Sequence, residues 1–68
     1  MNIEQVIELV EKWIADPKSV SQKELRAAYA YADAAYAYAA AAAVRTALYG
    51  NIDAAKYWVA EYHKSLSE

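Results

Sequence analysis

The sequence predicts an all-α protein of three helices, short, long and short, that assembles as a homo-oligomer. Two outer segments carry apolar residues at the spacing of an amphipathic helix. Between them lies an alanine- and tyrosine-rich stretch, residues 22–49, without glycine or proline. Asn or Ser, residues that cap helix N-termini, stands ahead of each segment.

The first helix is expected over Ile3–Ala15. Asn2 is a suitable N-cap, and Gln5 stands where a capping box takes Glu or Gln. Ile3, Val6, Ile7, Val10, Trp13 and Ile14 form one apolar stripe, with Glu4, Glu8, Glu11 and Lys12 opposite. Asp16-Pro17 ends it, because a residue before proline is pushed out of the α region.

The second helix is expected over residues 22–49. Ser21 and Glu24 spell a capping box, and Val20 with Leu25 forms a hydrophobic staple across it. Gly50 supplies the left-handed residue past its end. At 1.5 Å per residue its length is about 42 Å. Ala27–Asp33 (AAYAYAD) is followed by Ala34–Ala40 (AAYAYAA), a seven-residue period that suits close helix packing.

The third helix is expected over residues 52–65, with Asn51 as N-cap and Asp53 in its first turn. Ile52, Ala55, Val59, Tyr62 and Leu66 make its stripe, flanked by Trp58 and His63. Trp13 and Trp58 read as core anchors. Tyr57 falls on the charged side with Glu61 and Lys64, either exposed or marking a second contact surface.

Oligomerisation follows from size and coverage. A 68-residue core is small and usually needs a staple. Cysteine is absent and His63 is the single histidine, so neither disulfides nor a structural metal is expected. On one unbroken helix, Tyr29, Asp33, Tyr36 and Ala40 point one way, while Tyr31, Tyr38, Arg45 and Tyr49 point the other. Alanines such as Ala35 and Ala39 lie between, so the helix is apolar nearly all round. Two short helices cover only one side of it. Tyr29, Asp33, Ala35, Tyr36, Ala39 and Ala40 are therefore the candidate subunit interface. Asp33, flanked by Tyr29 and Tyr36, reads as a satisfied interface carboxylate or a ligand contact.

Function is bounded mainly by exclusion. The net charge of −2 does not suit a phosphate-dominated nucleic-acid binder. The alanine-rich stretch is too weakly apolar to span a bilayer, with Asp33 inside it. Met1–Val10 lacks a basic region and carries Glu4 and Glu8, so no secretory signal is expected, and the absence of cysteine fits the cytoplasm, the expected compartment. No phosphate-binding glycine loop or nucleophile–base pair appears, so no catalysis, cofactor or metal is expected. Arg45 with Tyr31, Tyr38 and Tyr49 can hold an anion while the rings stack on a flat group. The alternative is that Arg45 stacks on a tyrosine of another subunit.

The run Ala27–Val44, followed by Asp53-Ala54-Ala55-Lys56-Tyr57-Trp58-Val59 and Tyr62, resembles small alanine- and tyrosine-rich helical proteins of large tailed bacteriophages. The resemblance implies a phage accessory protein in the bacterial cytoplasm, of the kind that counters host defence. The expected function is then an oligomer that sequesters a small anionic, nucleotide-like ligand. Two alternatives stand beside it: a protein-interaction module that inhibits a host protein, and a purely structural helical assembly.

Overall fold

The structure is a computed structural model and describes residues 1–67. It contains helices α1 (Ile3–Ala15), α2 (Gln22–Ala34), α3 (Tyr38–Leu48) and α4 (Ile52–Leu66), with a 3₁₀ turn at Pro17–Ser19. The fold is therefore all-α with four helices, which corrects the expected three. The single helix expected over residues 22–49 is two helices folded back on one another. The longest extent of the molecule, 33 Å, is shorter than the about 42 Å that the unbroken helix would need.

The helix starts follow the local rules. Asn2 Oδ1 accepts from the Gln5 N–H at 2.8 Å, and Gln5 Oε1 accepts from the Asn2 N–H at 2.8 Å. At α2 the Ser21 N–H and hydroxyl both donate to Glu24 Oε1, each at 3.1 Å. Those two bonds, the backbone one first, hold the Glu24 carboxyl below the usual carboxylate range. Asn51 Oδ1 accepts from the Ala54 N–H at 3.1 Å and caps α4. Asp16, extended at φ −151°, ends α1 before Pro17.

The break between α2 and α3 has no such local signal. Tyr36 adopts φ +57°. Its N–H donates to the Asp33 carbonyl at 3.1 Å, and the Ala37 N–H donates to the Ala32 carbonyl at 3.0 Å. This is a Schellman closure with tyrosine in the left-handed position normally given to glycine. A left-handed conformation costs a side-chain-bearing residue about 1–2 kcal/mol. α3 then starts at Tyr38, and its N-cap Ala37 offers no side-chain hydrogen bond.

Packing offsets that cost. The fold-back lets one chain cover its own alanine faces. Ala28 and Ala32 of α2 are buried with Ala40, Ala43, Val44 and Ala47 of α3. Val6, Ile7, Val10 and Trp13 of α1, Val20, Leu25 of α2, and Ala55 and Val59 of α4 complete the core. Small side chains let helices approach closely, so weakly apolar residues still exclude water. No buried side-chain nitrogen or oxygen among the described residues lacks a partner. No described helix is long and apolar enough to cross a membrane.

α3 is the centre of the bundle. It packs against α1, α2 and α4, and α1 also packs against all the others, whereas α2 and α4 do not approach one another. The face of α3 turned away from α1 is thus flanked by two separated helices and left open between them.

Candidate functional site

The opening between α2 and α4 is a cleft of about 190 Å³ lined by Tyr29, Asp33, Tyr38, Arg45, Thr46 and Trp58, floored by Ala41 and Ala42. Its geometry comes from helix periodicity. Tyr38, Ala41, Ala42 and Arg45 recur at i, i+3, i+4 and i+7 and so share one stripe of α3. Tyr29 and Asp33 are one turn apart on α2, and Trp58 enters from α4.

Aromatic rings form one wall. Tyr38 meets Trp58 edge to face, with ring centroids 5.4 Å apart and planes at 80°. Tyr57 meets the same indole at 5.1 Å and 84°. Tyr38 nevertheless remains 76% exposed. The Thr46 hydroxyl is committed to its own helix, donating to the Ala43 carbonyl at 2.8 Å.

Both charges of the cleft are exposed, and neither Asp33 nor Arg45 forms an ion pair among the described residues. His63 Nε2 lies 3.6 Å from Glu11 Oε2, across a separate groove between α1 and α4. A second depression, of about 210 Å³, adjoins the cleft over the α2–α3 corner. It is lined by Tyr36 and Ala37 and shares Asp33, Tyr38 and Ala41 with the first. Among the described residues, no three His, Cys, Asp or Glu side chains gather where they could hold a metal ion.

The residues singled out from sequence are redistributed by the fold. Of the candidate ligand set, Tyr38 and Arg45 line the cleft, while Tyr31 and Tyr49 are exposed outside it. Of the candidate interface set, Tyr29 and Asp33 line that same cleft and Tyr36 borders the adjoining depression. Ala40 is buried in the chain's own core, Ala39 is half-buried, and Ala35 is exposed at the end of α2. Asp33 is exposed, and it is not flanked by Tyr36 along a helix because α2 has ended before Tyr36.

Trp58 packs against the core as its sequence position suggests, but it is only half-buried and also forms a cleft wall. Its place at the edge of the α4 stripe, beside Tyr57, is the sequence signal for that role. Comparison with protein-family models, curated proteins and solved structures finds no match for this chain.

Proposed function

We propose that this chain is a non-enzymatic protein-interaction module that binds through the α2–α3–α4 face. The observation that carries this reading is a cluster over an alanine floor. Exposed Tyr38 stands edge-on against Trp58, beside an Arg45 that has no ionic partner among the described residues. Tyrosine, tryptophan and arginine are the residues that dominate binding energy at protein interfaces. Size argues in the same direction. Neither depression of this face, at about 190 and 210 Å³, reaches the roughly 300 Å³ at which small-molecule pockets begin; the larger groove between α1 and α4, about 460 Å³, lies elsewhere. Each depression of this face suits a side chain better than a nucleotide. Asp33, in the same cleft as Arg45, also opposes a polyanionic ligand, whereas a polypeptide surface carries both signs of charge.

The test is photo-crosslinking with benzoylphenylalanine in place of Tyr38, and of exposed Lys18 as control. A discrete polypeptide adduct from position 38, absent from position 18 and lost on Arg45→Glu, is the expected result. No polypeptide adduct, together with calorimetric heat from a mononucleotide, would overturn the reading in favour of small-ligand sequestration.

A further inference from the structure

We propose that the partner on this face is a second copy of the chain, related by a two-fold axis that sets Arg45 of each copy against Asp33 of the other. The inference rests on the protein-interaction reading and names its partner.

The argument starts from charge. A two-fold interface presents the same patch on both sides, so it must be complementary to itself. A patch of one sign fails that condition. This patch meets it: one cation and one carboxylate lie in the same cleft, and neither has an ionic partner in its own chain among the described residues. They also stand apart along the face. Asp33 borders both depressions with Tyr38, at the α3 N-terminus. Arg45 lies seven residues beyond Tyr38, about 10 Å along α3. A two-fold axis passing near Ala41 and Ala42, between them, exchanges the two ends and sets each charge against its opposite.

The surface around that axis fits the same arrangement. Ala41 and Ala42 leave the floor of the cleft free of bulk, so a side chain of a second copy can enter between its walls. Tyr36 is 94% exposed, Tyr38 also stands largely free, and both border the second depression. An aromatic side chain buries about 150–250 Å², so these rings supply a large part of the about 800 Å² per partner of a standard interface. The chain exposes 4414 Å² in all, and its core includes six buried alanines, Ala28, Ala32, Ala40, Ala43, Ala47 and Ala55. Burial of further apolar area between copies is the form of added stability open to a small chain without cysteine.

Charge reversal tests the symmetry directly. In a homodimer, Asp33→Arg sets two arginines against one another at both ends of the interface. Arg45→Asp likewise sets two aspartates against one another at both ends. Each single variant should weaken self-association by about a hundredfold or more. Mixed in equal amounts, the two variants form a heterodimer in which one copy supplies both arginines and the other both aspartates, so every facing pair is opposite in sign. The double variant Asp33→Arg/Arg45→Asp should regain its homodimer.

Sedimentation equilibrium reads each mass, and far-UV circular dichroism verifies that every variant is helical. Both positions are exposed, which keeps the substitutions out of the core. A wild-type protein that stays monomeric up to millimolar concentration overturns the proposal. So does a wild-type dimer that either single variant leaves intact, or single variants that fail to rescue one another. A monomer that still gives a foreign polypeptide adduct at position 38 overturns the two-fold pairing and leaves the interaction reading standing. A monomer with no adduct overturns both.

Discussion

Tyr36 occupies at the end of α2 the same backbone position that Gly50 occupies at the end of α3. Tyr36 has φ +57° and Gly50 has φ +76°. The Ala37 N–H reaches the Ala32 carbonyl at 3.0 Å just as the Asn51 N–H reaches the Thr46 carbonyl at 2.9 Å. One closure is built with the residue suited to it and the other with a residue that resists it.

The first prediction exchanges those two circumstances. Tyr36→Gly relieves the left-handed strain and loses little contact, since the ring is almost wholly exposed. It should raise stability by about 0.5–1 kcal/mol, after subtraction of glycine's greater freedom in the unfolded chain. Gly50→Ala should lower stability by about 0.5–1 kcal/mol by the same reckoning, although open space surrounds the added methyl. Urea unfolding at a concentration where the protein is monomeric measures both, and changes of the opposite sign would contradict the strain assigned to Tyr36.

A second prediction separates buried from exposed alanine. Ala32→Leu forces a larger side chain into the α2–α3 contact and should cost about 1–3 kcal/mol. Ala35→Leu, exposed at the end of α2, should change stability by less than about 0.5 kcal/mol. Equal effects in thermal melts would mean that the helices are packed differently.

The third concerns acid. The folded protein holds Glu24 below its ordinary value of 4.5 through the Ser21 backbone and hydroxyl bonds. A lowered folded-state value contributes stability that is fully present above the ordinary, unfolded-state value. That contribution is lost as pH falls through the lower folded value. Wild type should therefore exceed Glu24→Gln in stability at neutral pH and converge with it in acid. Parallel curves across that range would show that the carboxylate does not carry the difference.

The fourth addresses the aromatic wall. A double-mutant cycle over Tyr38→Ala and Trp58→Ala should give a coupling of about 0.5–1.5 kcal/mol, the usual scale for an edge-to-face pair. Additive effects would mean that the two rings do not hold one another in solution.

The helix starts are legible because each is written in a local signal. Asn2 with Gln5, Ser21 with Glu24, and Asn51 make their bonds within three residues, and no tertiary context is needed to see them. Asp16-Pro17 and Gly50 mark stops for equally local reasons. The α2–α3 corner is not legible because Ala35, Tyr36 and Ala37 carry no breaking signal. Burial of alanine against alanine across the fold-back decides that position, and propensity does not record it.

The candidate site shows the same division. Tyr38 and Arg45 group together in the sequence because i, i+7 spacing holds within α3. On one continuous helix Tyr29 and Asp33 would lie on the opposite side. Reversing the chain at Tyr36 turns the two sides toward one cleft, so residues that read as two separate surfaces line a single one. Trp58 belongs to another helix, and no spacing within residues 22–49 could include it.

The alanine core also constrains how this chain can change over generations. A buried leucine has neighbours in sequence space on either side, since it can shrink or be exchanged for an isomer. The alanines at 28, 32, 40, 43, 47 and 55 have almost none. Glycine is the only smaller residue and weakens the helix that carries it, while anything larger wedges the helices apart. Inherited variation is therefore channelled outward, onto the tyrosines and charges of the surface. A lineage of such chains would keep its bundle nearly fixed while its exposed faces diverged.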